Sequence, residues 1–216
     1  MILTLDQLYH KMLKTMGPTH WWPANSKTEI IIEALMIQNT NSRNAERAAA
    51  LFRQATTFDP AKIAHLSIDQ LERLVKPAGF YHNKSRAVQK VFSWLATDHF
   101  DYQQTAERLG NNLRPALMKL RGVGDETADV LLTYVFDRPS FISDHYARLL
   151  FTELGIGGIS NYQSLARQVQ LPRTFSLQDA QEFHGLIDEF GKVAFHPRTA
   201  FKKSFLSGDQ LRLAPK

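Results

Sequence analysis

Apolar residues recur at helical spacing along nearly the whole chain, and strand-like alternation is scarce. Ser26-Lys27-Thr28-Glu29 has the form of a capping box, and Ile30, Ile31, Ala34, Leu35 and Ile37 then supply a buried helix face ending near Gln38-Asn39-Thr40. The same patterning predicts helices over 43–55, 60–65, 67–75, 83–97, 101–111 and 115–120, with Pro77-Ala78-Gly79 as a break. The opening residues 1–17 read as an amphipathic helix carrying Asp6, Lys11 and Lys14 on its polar side. Residues 135–142, around Pro139, read as an extended crossing segment. The expected class is all-α, and 216 residues in this many helices suit two helical lobes better than one bundle.

Composition narrows the chemistry mainly by exclusion. Twenty-six Lys and Arg against 21 Asp and Glu give a net charge of +5, which suits a polyanionic partner but is shared by many proteins that bind none. The chain has no cysteine, so disulfides, thiolate metal sites and cysteine nucleophiles are excluded. Its eight histidines show no ligand spacing, and no catalytic metal is expected. No long uncharged apolar run is present, so the expectation is a cytoplasmic protein without membrane association, nucleoid-associated in a prokaryote.

The most informative stretch is Leu120-Arg121-Gly122-Val123-Gly124-Asp125-Glu126-Thr127-Ala128. Two glycines around one apolar residue, between a helix end and a new helix over 127–136, make a tight hairpin with backbone N–H groups facing outward. Such a nest binds a phosphate without side chains, and the same residues also serve as a plain helix-to-helix turn. Then comes Phe141-Ile142-Ser143-Asp144-His145-Tyr146-Ala147-Arg148-Leu149-Leu150, in which an apolar segment delivers a lone carboxylate to the start of a helix over 145–154. Asp144 there is an N-cap, a catalytic carboxylate, or both. The positive end of the helix dipole favours its ionised form, the form needed by a base or an oxocarbenium stabiliser.

Taken together, L-R-G-V-G-x-x-T-A-D and F-I-S-D-H-Y-A-R-L-L, with 20 residues from Gly124 to Asp144, resemble the helix-hairpin-helix and catalytic aspartate of the endonuclease III superfamily of DNA glycosylases. Gln38-Asn39-Thr40 and Gly79-Phe80-Tyr81-His82-Asn83-Lys84 extend the likeness over most of the chain. Trp21-Trp22-Pro23, the segment 75–81 and the segment 183–192 resemble the 3-methyladenine DNA glycosylase branch that lacks an iron–sulfur cluster. The resemblance implies a six-helix barrel lobe over 27–136, ending in the helix-hairpin-helix at about 120–136. It implies a second helical lobe from 1–26 plus 137–216, and a DNA-binding cleft between the two.

The same resemblance implies roles. Asp144 is the catalytic residue. Trp21, Trp22, Pro23, Ser42 and Lys192 belong to the base pocket, and Gln38, Phe80, Tyr81, Gly122, Gly124 and Thr127 to DNA binding. Bifunctional members carry a nucleophilic lysine at the position of Glu126, and a carboxylate cannot form a Schiff base. The implied reaction is therefore hydrolysis to an intact abasic site. A single carboxylate without an evident acid partner suits alkylated purines, whose cationic base leaves unaided. Ser42 departs from the branch, which has an aromatic there. The four superfamily cysteines correspond to positions near Phe195, Lys202, Phe205 and Leu211, so no iron–sulfur cluster is expected. Lys192 matches a lysine that is carbamylated in the branch; an ordinary lysine is the other reading. The implied partner is damaged double-stranded DNA, bound by a monomer. Two further readings stay open: a glycosylase for another damaged or mispaired base, and a non-catalytic helix-hairpin-helix DNA-binding protein in which Asp144 is only a cap.

Overall fold

The computed structural model describes residues 1–214. The chain forms two compact units, one of residues 1–23 and 139–216 and one of residues 24–138. The described residues are all-α apart from one two-residue parallel pairing.

The first unit opens with β1 (Ile2–Leu3) and α1 (Leu5–Met16), whose cap Thr4 forms a full capping box with Gln7. Leu8 and Met12 are wholly buried on the inner face of α1.

The second unit begins with α2 (Lys27–Met36) and continues through α3 (Ser42–Thr56), α4 (Pro60–Ala64), α5 (Ile68–Val75), α6 (Tyr81–Leu95), α7 (Tyr102–Leu109), α8 (Leu113–Met118) and α9 (Asp125–Tyr134). Helix α2 packs against α3, α6 and α9, so Ile31, Ile32, Leu35 and Met36 are all buried. That central place explains why its sequence is apolar on nearly every side. The capping box expected at Ser26 is only half made. Ser26 Oγ accepts the Glu29 N–H at 3.1 Å, but the Glu29 carboxylate turns to the Asn25 N–H and to Arg53. A buried carboxylate gains more from a guanidinium than from closing the box.

Most helices lie within two residues of their expected positions. Helix α6 starts at Tyr81 because Phe80 occupies the left-handed region (φ 47°) and turns the chain without a side-chain cap. Helix α9 starts at Asp125, where Asp125 and Glu126 face the positive end of its dipole. The hairpin is stapled by Arg114 on α8, which meets Asp125 at 2.9 Å and Asp129 at 2.8 Å on α9. Its two glycines differ in kind. Gly122 is left-handed (φ 84°), and a Cβ there would collide with the Ala87 methyl; Gly124 is extended with open space around it.

The extended segment expected over 135–142 starts later, because residues 135 and 136 turn out of α9 and Asp137 is left-handed (φ 54°). After residues 138–144, which are neither helix nor strand, the chain returns to the first unit as α10 (His145–Glu153), α11 (Tyr162–Ala166), α12 (Leu177–Ala194) and β2 (Gln210–Leu211). Strand β2 pairs with β1 in parallel, Leu3 opposite Leu211. Helix α12 packs on both α1 and α10, burying Phe183, Leu186, Ile187 and Phe190. Beyond it, Phe195 stacks on Phe201 with centroids 5.9 Å apart, and Phe205 lies 5.4 Å from Phe190. These rings occupy the tail where cysteines would be needed for a cluster.

Gly122→Ala is expected to cost about 1–3 kcal/mol, since it places a side chain in both a left-handed and a filled position. Urea denaturation measures it, and an unchanged midpoint would contradict the turn described.

Candidate active site

The first unit assembles a polar site where α10 begins. Ile142 and Ser143 are buried, and the Ser143 carbonyl accepts from the Arg148 guanidinium at 2.5 Å, which fixes the backbone leading into the helix. Asp144 is the N-cap of α10, its Oδ1 accepting the Ala147 N–H at 2.6 Å. The residue is only 8% exposed. One carboxylate oxygen is thus spent on the cap. The other faces His184 Nε2 at 3.6 Å, too long for a hydrogen bond but within ion-pair range if the ring is protonated.

His184, Asp188 and Lys192 follow one another at four-residue spacing, so α12 presents all three on one face. Lys192 Nζ stands 2.6 Å from Asp188 Oδ2, 2.8 Å from Glu189 Oε1 and 4.6 Å from the Trp21 ring centre. Burial pushes the Asp188 carboxyl above its ordinary pKa, with the Asp144 charge adding to the rise and Lys192 opposing it. Burial works to lower the Lys192 pKa, but the bonds to Asp188 and Glu189 outweigh it and leave the pKa raised. In this arrangement the amine is held protonated, whereas carbamylation needs it neutral.

Two glycines let other residues reach this face of α12. A Cβ at Gly185 would collide with Thr19 and Trp21, and one at Gly191 with the Tyr146 ring. The Glu182 carboxylate accepts the N–H groups of Thr19 and His20, which anchors the loop ahead of Trp21. The Trp21 ring then lies edge-on to His184 at 6.5 Å and tilted against Trp22 at 5.7 Å. Its indole N–H is buried with no hydrogen-bond partner among the described residues. Trp22 is half-buried and Pro23 exposed. Burial, and then the Asp188 charge, raise the Tyr146 pKa. Asp144, Trp21, Trp22 and Lys192 therefore belong to one unit, joined there by His184, Asp188 and Tyr146, which the sequence reading did not single out. The spacing of 184, 188 and 192 was the available signal.

The second unit holds the other expected residues. Gln38 Nε2 donates to the Gly122 carbonyl and to Thr127 Oγ1, both at 2.9 Å, tying the turn after α2 to the hairpin. Thr127 is buried. Phe80 is 64% exposed at the tip of its left-handed turn, and Tyr81 is half-buried against the His82 ring. Gln38, Phe80, Lys84, Arg121 and Gly122 all line one hollow of about 380 Å³. Ser42 is exposed in the first turn of α3. The exposed Glu126 stands in the first turn of α9.

No three His, Cys, Asp or Glu side chains among the described residues are grouped to hold a metal ion, and no described helix is long and apolar enough to cross a membrane. An iron–sulfur cluster does not fit this chain, which has no thiolate to ligate it.

A glycine hairpin before α9 in one unit and a capped, buried carboxylate at the start of α10 in the other fit a helix-hairpin-helix DNA glycosylase. The pattern of HhH-GPD superfamily base excision DNA repair proteins matches residues 32–170, and the chain belongs to that superfamily. A protein of Methanocaldococcus jannaschii that carries the provisional name of a DNA repair glycosylase is 31% identical over 189 residues, 86% of either chain. Endonuclease III of Thermotoga maritima is 27% identical over 70% of this chain and 66% of its own. Among solved structures, the 3-methyladenine DNA glycosylase of H. pylori bound to 1,N6-ethenoadenine matches with a TM-score of 0.67 at 27% identity, covering 85% of this chain and 92% of the other. A trapped endonuclease III–DNA covalent intermediate shares the fold at 20% identity, with a TM-score of 0.66. The protein is a DNA glycosylase of the base excision repair type, and DNA is its partner.

Asp188→Asn is expected to be more stable relative to wild type at pH 7 than at pH 4. A carboxyl with a raised folded pKa holds its proton more tightly when folded, so the wild type loses stability as pH climbs from the ordinary carboxylate value through the raised one. Urea denaturation at the two pH values tests this. A variant that loses ground as pH rises would show that the Lys192 ion pair outweighs burial.

Proposed function

We propose that the chain is a monofunctional glycosylase that hydrolyses the N-glycosidic bond of alkylated purines of the 3-methyladenine type and leaves an abasic site. Asp144 carries the reading: it is a buried carboxylate held in place by the Ala147 N–H with one oxygen uncommitted to the cap. That oxygen stabilises the oxocarbenium-like sugar and accepts a proton from the attacking water. Glu126 occupies the position where bifunctional relatives carry lysine, so no amine forms a Schiff base there.

The substrate preference rests on the indoles. A base alkylated at N3 or N7 is cationic and is attracted to an indole face by about 0.5–2 kcal/mol. The Lys192 ammonium over Trp21 already uses that attraction, so a stacked base takes the other face of Trp21, or Trp22, or displaces the lysine. The solved relative from H. pylori, with its ethenoadenine ligand, supports the purine class. Gln38 fills the gap left by the flipped nucleotide, Phe80 and Tyr81 wedge the stack, and the hairpin of Gly122, Gly124 and Thr127 holds a phosphate. Exposed Ser42 contributes no ring to the pocket. Lys192 acts as an ammonium rather than as a carbamate, and the enzyme works as a monomer without a cofactor. Asp188 gives a second reading its footing. It is a second, largely buried carboxyl whose charge interacts with that of Asp144, and two carboxyls at one site are what acid-assisted release of a neutral base requires; release of neutral damaged or mispaired bases would favour that reading.

Asp144→Asn tests the assignment. It is expected to slow excision from methylated duplex DNA by about 100-fold or more while DNA affinity is retained. Excision at the wild-type rate would leave Asp144 as a cap only.

A further inference from the structure

Lys84, on the first turn of α6, is 5% exposed, and its ammonium donates to two backbone carbonyls, Met36 O at 2.6 Å and Ala78 O at 2.8 Å. No carboxylate pairs with it among the described residues, and burial lowers its pKa. Burying an unpaired charge is costly, and a helix-end carbonyl is usually satisfied by water or a backbone N–H. The choice of carbonyls is informative. Met36 ends α2 and lies two residues before Gln38, while Ala78 ends the short turn over 76–78 and lies two residues before Phe80. Gln38, Phe80 and Lys84 line the same hollow. One nitrogen thus ties two turns about 40 residues apart in sequence, each at the same distance from its tip residue.

We propose that Lys84 is a positioning residue that couples the Gln38 and Phe80 turns so that both enter the base stack as a unit. The proposal rests on the reading of Gln38 and Phe80 as the inserting residues. With the tether intact, neither turn can move without carrying the other. Cutting it lets the hollow open and the tips act separately. The chemistry of the bond-breaking step, in the other unit, does not involve Lys84.

Because the chain has no cysteine, Lys84→Cys creates a single thiol, which 2-bromoethylamine converts under denaturing conditions to an aminoethyl side chain before refolding. Single-turnover excision of one alkylated purine is compared in duplex and in single-stranded DNA, for this pair, for Lys84→Met, and for Phe80→Ala and Gln38→Ala. Lys84→Met is expected to lose about tenfold or more on duplex with little change on single strands, which need no wedge. Aminoethylation should restore duplex excision, and Lys84→Met should cost little in a Phe80→Ala background, because coupled residues are not additive. Lys84→Gln, whose neutral amide sits on a shorter stem and weakens the tie without emptying the site of polar atoms, carries the same comparison if the apolar variant does not fold. Equal loss on both substrates, or full additivity with Phe80→Ala, overturns the proposal and leaves Lys84 a fold-stabilising residue. If Phe80→Ala and Gln38→Ala show duplex-specific losses and Lys84→Met does not, only the coupling fails. If they show none, the insertion reading fails and the coupling falls with it.

Discussion

The hydrogen bond from the Ala147 N–H to Asp144 Oδ1, 2.6 Å long and buried, sets the terms for the rest of the first unit. It ends an extended segment, starts α10, and fixes a carboxylate in a direction that solvent cannot alter. The N–H that caps the helix also orients the carboxylate, so capping and reactivity draw on the same bond. The cap and the catalytic readings of Asp144 are therefore one arrangement seen from its two oxygens. Arg148, one turn on, secures the segment from behind through the Ser143 carbonyl.

Helix α12 supplies the other wall, and its glycines explain how. Gly185 and Gly191 are places where a methyl group would strike Trp21 and Tyr146, so the helix gives up about 1 kcal/mol of propensity at each to admit a ring. The polar face between them is charged: Lys192 pairs with Asp188 and Glu189, and the Asp144 carboxylate and His184 act on Asp188 as well. The second unit follows a different logic, in which long-range polar ties hold turns in register. Gln38 binds the hairpin, Arg114 staples α8 to α9, and Lys84 joins two loops.

Much of this was legible in the sequence wherever it depended on local pattern. Helix periods, the Asp144 cap and the Gly122 turn are short-range properties, and the hairpin with its following aspartate pointed to the family. What escaped depended on distant residues. Glu29 left its box for Arg53, 24 positions away, and Gln38 reached Gly122, 84 positions away. No local rule announces either pairing. Phe80 carries no signal for a left-handed turn, a conformation rare for a bulky residue and one that its exposed ring does not enforce by packing. Asp188 was overlooked because its raised pKa comes from burial, which the motif does not encode. It places a second carboxyl, paired with Lys192, in the same unit as Asp144.

The central claim is hydrolysis of an alkylated purine without strand scission. It is tested most directly by incubating the protein with methylated duplex DNA, identifying the released bases by chromatography, and sizing the strands on a denaturing gel before and after alkali. The account predicts free 3-methyladenine and strands that stay intact until alkali is added. Nicks before alkali, or release of neutral bases alone, would contradict it.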